Sequence, residues 1–364
     1  MDVLMLGNGF DLYHRLFTGY KEYICVCNYL IQKSFYNLED LSVYDILSGA
    51  FKNQKDKLEK MSCYQTAYKN TKISGKDLSD LTDLSSNNCW LRYLSKQCSS
   101  ERWVSLEKTI SDVLNYIENK NTESLFECFS PLCDELKDSR IIKHTFKYWI
   151  EGEKGTEKIY DDFENLILSL KLYLKIFVDN VLDNIPKLDE SINPHFWNMD
   201  SVISFNYTHT YEKLYDSRTK VVHIHGNTEN DVIVGINPDK NDTKGNANPK
   251  YIAFKKYYHR ITKNTISDLS DLFYHIKNDN HKHQLLCVGH SLDVTDSDII
   301  TTLFDLFNEV IVYYHNNASL DKYIKNLTQI YGAEDFNKML LSSRLIFEKL
   351  PDNEYALQKP VVAF

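Results

Sequence analysis

Residues 1–20 read MDVLMLGNGFDLYHRLFTGY, and the passage from Asp2 to Gly9 decides the fold. DVLML is a continuous apolar run without the alternation of a half-buried strand, so it reads as a central strand of a parallel sheet, covered on both faces. Gly7 ends it. From Thr18 to about residue 30 apolar positions recur at helical spacing, behind a threonine able to cap. The expected unit is strand, glycine turn, helix.

Gly7-Asn8-Gly9 has two readings. In a dinucleotide cradle the first glycine allows the sharp turn, the second lets a pyrophosphate approach the backbone, and the next helix receives its charge. The third glycine of that fingerprint is missing, and no acid closes a second strand some twenty residues on. A plain strand-to-helix turn is the other reading.

Outward from this unit the texture changes twice. Residues 34–199 combine amphipathic pieces such as RWVSLEKTISDVLNYI and YDDFENLILSLKLYLKIFVDNVL with the polar stretch KNTKISGKDLSDLTDLSSNN, which reads as mobile surface. The region is too long for a crossover loop, so a mainly helical insertion is expected. Beyond Asp200 come short β-rich runs, SVISFNY, VVHIHG, DVIVGI, QLLCVGHSL, EVIVYYH and RLIFEKL, with helix-like HTYEKLYDS and SDIITTLFDLF between them. Strands alternating with helices imply a three-layer α/β sheet whose ligands bind at the strand C-terminal edge. The expected division is a discontinuous core of 1–33 and 200–350, an insertion of 34–199 and a tail of 351–364.

Composition removes several function classes. With 364 residues, 43% apolar and 26% charged, the chain can bury one large core or two smaller ones, and disorder of the whole is not expected. A net charge of −9 argues against a surface that clings broadly to nucleic acid. The eight cysteines form no C-x-x-C pair, so neither a zinc ribbon nor a redox couple is encoded, and reduced thiols are expected. No apolar run reaches the roughly 18 residues that span a bilayer, and no basic flank with a long apolar stretch opens the chain. A cytoplasmic protein with no membrane partner is the expectation.

Four further motifs carry candidate chemistry. In SFNYT, Asn206 stands where an amide could hold a ribose hydroxyl or a water, or cap the helix beginning near Thr208. In His223-Ile224-His225-Gly226 strand alternation sends both imidazoles toward one face. A His-x-His pair without a nearby carboxylate or Cys is weak for a metal, so no metal site is expected; a general base or a hydrogen-bonded structural histidine remains. Gly289-His290-Ser291-Leu292-Asp293 approaches the G-x-S-x-G elbow of serine hydrolases, but Asp293 replaces the glycine that permits close packing, and only His315 offers a downstream base. A strand end contacting a phosphate or ribose is preferred there. Finally, Trp103 and Glu107 of WVSLE fall on one helical face, either solvated or lining a cleft.

Taken in order, LGNGFDLYHRLFTGY, WVSLE, SFNYT, HIHGN, IVGIN and GHSLDVTDSDI resemble the AbiH family of bacterial abortive-infection proteins, across nearly the whole chain. That family is in turn similar to the sirtuin-like NAD-binding fold. The resemblance implies a Rossmann-like, sirtuin-like core in which Gly7, Asn8, Gly9 and Asp11 form the cradle and Asn206 and His225 are catalytic. Gly289, Ser291 and Asp296 would face them across the crevice. Where the family commonly reads Gly-Leu-Pro-Thr this chain has Arg15, Leu16, Phe17 and Thr18, and where NAD hydrolases of this kind often carry Asp after Asn-Tyr it has Thr208. The four-Cys zinc module of sirtuin deacetylases is absent. The resemblance therefore implies anti-phage defence through cleavage of NAD at the nicotinamide–ribose bond, with NAD as substrate and no resident cofactor. A phage-derived activator, a defence partner or a homo-oligomer would accompany it. The alternative is a non-catalytic module that senses NAD or an ADP-ribose derivative and signals through the helical insertion. Nucleic-acid cleavage lacks a paired-carboxylate metal motif.

Overall fold

The computed structural model describes residues 1–33, 41–98, 105–133, 142–191, 193–237, 249–263, 265, 267–278 and 281–351. Six strands form one all-parallel sheet: β1 (Asp2–Leu6), β2 (Ser201–Ser204), β3 (Val221–His223), β4 (Gln284–Val288), β5 (Glu309–Tyr314) and β6 (Leu345–Lys349), in the order β3-β2-β1-β4-β5-β6. The apolar run at the start is indeed central. It pairs with β2 through Val3↔Ser201 to Leu6↔Ser204 and with β4 through Asp2↔Gln284 to Leu6↔Val288. Winding proceeds to one side of β1 and then to the other, so the order reverses between β1 and β4. That reversal opens a crevice at the strands' C-terminal edge, where the loops leaving the two strands diverge.

Two-sided burial explains why β1 does not alternate. Leu4 and Leu6 point into an apolar core shared with Val202, Leu286, Val288 and Ile311, while Val3 and Met5 point into a second core with Ile203, Leu285, Cys287 and Val310. All four β1 side chains are 2% exposed or less, and each such burial contributes about 1.5–3 kcal/mol.

Helices complete both outer layers. The first core is closed by α1 (Asn8–Tyr13), α2 (Tyr20–Lys33), α3 (Gly75–Ser86), α4 (Leu106–Glu118) and α5 (Glu153–Leu174), through residues such as Phe10, Val26, Leu81, Val113 and Phe163. Past the short α6 (Thr210–Leu214) and α7 (Lys256–Thr262), the second core is closed by α8 (Ser267–Asn278), α9 (Ser297–Leu306) and α10 (Asn317–Leu341, kinked at Gly332). Every described helix between residues 43 and 182 belongs to the β1–β2 connection, and its apolar residues merge with the sheet's first face. A wide π turn, Lys175–Asp179, continues α5. No described helix is long and apolar enough to cross a membrane.

Several local expectations are corrected. A helix starts at Asn8, directly after Gly7, and α2 begins at Tyr20 rather than Thr18. The polar stretch read as mobile surface contains α3, because Ser74 caps it by accepting from the Asp77 N–H and because Leu78 and Leu81 are buried. Val232–Gly235 of DVIVGI are buried but form no strand: the run makes one isolated bridge, Ile236 to Lys255, and its apolar residues pack without a ladder. Trp103 and nearly all of the expected tail lie outside the described residues.

Candidate functional site

The glycine hinge is a place where two backbones touch. A Cβ on Gly7 would lie 2.4 Å from the His290 Cα, one on Gly9 2.7 Å from the Gly289 Cα, and one on Gly289 2.1 Å from the Phe10 nitrogen. Gly289 also sits at φ +70°, where side chains are disfavoured. Gly7 donates its N–H to the Val288 carbonyl at 3.0 Å and Gly9 to the Gly289 carbonyl at 2.7 Å. The Gly9 amide implied as a pyrophosphate donor is thus engaged by the protein itself, since the β1 and β4 exit loops interlock there. Asn8 and Gly9 nonetheless line the crevice.

Asn206 does not cap a helix. Its Nδ2 donates to the Gly7 carbonyl at 3.0 Å and to Asp11 Oδ1 at 3.1 Å, so both amide protons are committed and the side-chain carbonyl is the group left to meet a ligand. The Thr208 hydroxyl donates to Asp11 Oδ2 at 2.6 Å. Burial pushes the Asp11 carboxyl up to about 7, with the Thr208 hydrogen bond opposing, so it changes charge near neutrality.

The opposite wall is an ionic cluster around Asp296. Its Oδ1 accepts from Lys256 Nζ at 2.7 Å and lies 3.4 Å from His225 Nε2, while Oδ2 lies 3.6 Å from His290 Nε2. Burial works against the charge on Asp296, but Lys256 and the histidines hold its carboxyl well below the usual range. Lys256 stays raised in turn: burial opposes its charge and Asp296 outweighs that. Burial, then the Lys256 charge, lowers His225 to about 4, leaving a neutral imidazole near pH 7. Its Nε2 makes no protein hydrogen bond. His290 Nδ1 accepts from the Leu292 N–H at 3.0 Å, so its proton sits on Nε2, toward Asp296. Glu107, in the first turn of α4, lies 4.0 Å from Lys256.

These walls enclose a cavity of about 1290 Å³ lined by Asn8, Gly9, Asp11, Asn206, His225, Gly289, Ser291 and Asp296, with Glu107, Tyr20 and Tyr207. Gly7 is joined to it through Asn206. Residues as far apart in the chain as Asn8 and Asp296 therefore share one hollow. The pairing of His223 with His225 is corrected: β3 ends at His223, a turn follows, and the imidazoles meet different partners. His225 faces the crevice with Phe205 and Asp296, whereas His223 meets Glu212 and the Asn206 carbonyl. Sequence reasoning missed Lys256 altogether. A lysine is rarely buried unless paired, and nothing local in KYIAFKKYYHR separates it from its neighbours. Arg15 occupies φ +58°, the left-handed region that favours glycine, at the position where the resembled family commonly has one.

The family model described as Bacteriophage abortive infection AbiH matches residues 3–318. The chain belongs to the AbiH family. The match runs from β1 into α10 and includes every crevice residue named from the sequence, so this AbiH protein carries its crevice within the family region. Abortive infection of bacteriophage is the function that membership implies. Neither the curated proteins nor the solved structures give a match.

Proposed function

We propose that this AbiH protein acts in abortive infection by hydrolysing NAD at the nicotinamide–ribose bond, on a Rossmann-like, sirtuin-like core. The observation that carries the reading is the convergence of Asn206, His225 and the two glycine loops on one hollow at the point where strand order reverses. The order 3-2-1-4-5-6 is the doubly wound arrangement suited to dinucleotides, and the cavity exceeds the roughly 300–1,000 Å³ of ordinary small-molecule sites.

In the proposed reaction the ribose C1′–N bond breaks and its electron pair stays with the departing nicotinamide. Positive charge builds on the ribose, and water forms the new C1′–O bond while giving its proton to His225. A neutral, weakly basic imidazole suffices because an oxocarbenium-like carbon needs little help from a base. Asp296 then stabilises the imidazolium. The Asn206 side-chain carbonyl orients the water or a ribose hydroxyl, and Glu107 faces the developing charge.

The test is release of free nicotinamide from NAD by the purified protein, alone and with lysate of phage-infected cells to supply a phage-derived activator. Wild type is expected to release it, and Asn206→Ala and His225→Ala to lose release while staying folded. Undiminished release by both variants refutes the mechanism. A second reading, ligand sensing without turnover, draws on the crevice wall itself: Leu170 and Leu174 of α5 and Glu107 and Lys108 of α4 would touch an occupant, coupling it to the helices of the β1–β2 connection. Thermal protection by NAD without nicotinamide release selects that reading. Neither protection nor release rejects both.

A further inference from the structure

We propose that His209, Glu212 and His223 form a binding site for one first-row divalent cation of the zinc type, placed behind the crevice and fastening the turn that carries Asn206. One ligand atom from each of the three lies within 4.8 Å of the others. His209 immediately precedes α6, Glu212 lies in its first turn, and His223 ends β3, so a helix start and a strand end supply the donors. Tetrahedral zinc bonds of about 2.0–2.2 Å put ligand atoms roughly 3.3 Å apart, a closure within reach of small side-chain rotations.

The groups behind the ligands are what set this cluster apart from a chance meeting of polar residues. His209 Nδ1 faces Asp179 Oδ2 at 2.9 Å, and its backbone N–H donates to Asp179 Oδ1 at 2.9 Å. Asp179 is itself gripped by the Thr228 hydroxyl at the end of the π turn. His223 Nδ1 donates to the Asn206 carbonyl at 2.9 Å. Each ring thus commits Nδ1–H to an oxygen and leaves Nε2 as its metal donor, the tautomer that metal-ligating histidines take from a carboxylate or carbonyl behind them.

His223 adds a second observation. Its Nε2 lies 2.8 Å from Glu212 Oε1 while Nδ1 already serves a carbonyl, so the ring has acceptors on both sides. The hydrogen bond between ring and carboxylate holds one proton, and a metal ion can take its place there. Side chains 15%, 22% and 8% exposed for His209, Glu212 and His223 leave an entry path and room for a water as fourth ligand. Two imidazoles and one carboxylate suit Zn²⁺, Co²⁺ or Ni²⁺ rather than Mg²⁺ or Ca²⁺. None of the three residues lines the crevice, so the site does not depend on what the crevice binds. It reaches Asn206 through that residue's main-chain carbonyl.

The experiment uses the full chain, freed of metal by dialysis against chelator and titrated with Co²⁺, then competed with Zn²⁺. Wild type is expected to bind one Co²⁺ per chain with the visible absorption of a four- or five-coordinate ion, and Zn²⁺ should displace it. His209→Ala and His223→Ala should lose the spectrum, Glu212→Gln should bind at least tenfold more weakly, and His225→Ala should bind as wild type does. Asp179→Asn, which keeps all three ligands, should lose about 10–100-fold in affinity. Zn²⁺ at a fixed concentration should raise the thermal unfolding midpoint of wild type more than that of Glu212→Gln, a near-isosteric change expected to fold. Absence of stoichiometric binding by folded wild type at micromolar free metal overturns the proposal, as does binding that survives unchanged in Glu212→Gln and His223→Ala.

Discussion

Replacing Asp11 with asparagine tests the electrostatics at the floor of the crevice. The side chain is 1% exposed, accepts from Asn206 Nδ2 and the Thr208 hydroxyl, and burial lifts its carboxyl from the ordinary 3.8 to about 7. Because the folded-state value is raised, folding favours the neutral acid. The contribution is fully present below the unfolded value near 3.8 and is lost as pH rises through about 7. Within that window each pH unit removes about 1.4 kcal/mol, so wild type gives up roughly 2–3 kcal/mol between about pH 5 and pH 7. Against a total of roughly 5–15 kcal/mol that is easily measured. The amide introduced by Asp11→Asn would keep an acceptor for Asn206 and place an N–H against the Thr208 oxygen, with no proton to lose. Urea unfolding followed by circular dichroism across this range should therefore show wild type losing stability relative to Asp11→Asn by that amount. Parallel pH profiles for the two proteins would refute the argument, since they require an Asp11 that ionises as an exposed carboxylate does.

Three further outcomes follow from local geometry. Arg15→Gly should stabilise the fold by about 1 kcal/mol, because an exposed side chain at φ +58° carries left-handed strain that glycine lacks; unchanged denaturation midpoints would contradict this. Gly289→Ala and Gly332→Ala share a positive φ but differ in surroundings: the first puts a Cβ 2.1 Å from the Phe10 nitrogen and should cost about 3 kcal/mol or more, while the second meets nothing within 4 Å and should cost about 1 kcal/mol. Equal losses in thermal unfolding would remove the close-contact explanation. Lys256→Met leaves Asp296 buried without its main counter-charge and should cost about 3–5 kcal/mol, most of it recovered when Asp296→Leu is added. A double variant as unstable as the sum of the single ones argues against their coupling.

Much of the sheet was legible because its strands declare themselves locally. DVLML, SVIS, QLLCV, EVIVYY and LIFEK are apolar runs of strand length bounded by turns or polar residues, and each became a strand. DVIVGI has the same composition and did not, because burial without a ladder partner satisfies an apolar run equally well. The polar stretch containing α3 reads as surface yet folds as a packed helix for the opposite reason: buried positions as sparse as Leu78 and Leu81, with a serine cap, suffice when neighbouring helices cover them. In the site, Asn206, His225, the glycines and Glu107 were candidates from motif order, whereas the pairing of Lys256 with Asp296 and the interlocking of the two glycine loops were not, since those depend on which distant segments become neighbours.

The sequence by itself determined the class of the protein: a central strand buried on both faces, a parallel sheet grown from short apolar runs, and the amide, imidazole and glycines that any crevice at its edge would contain. These follow from periodicity and residue type, which act over a few residues. The tertiary structure alone decided that Gly9 lies against Gly289, that Lys256 neutralises Asp296, and that His223 turns toward His209 and Glu212 while His225 enters the crevice. Backbone contact and the burial of charge are set by chain segments meeting from far apart, and strand order, not local pattern, arranges that meeting.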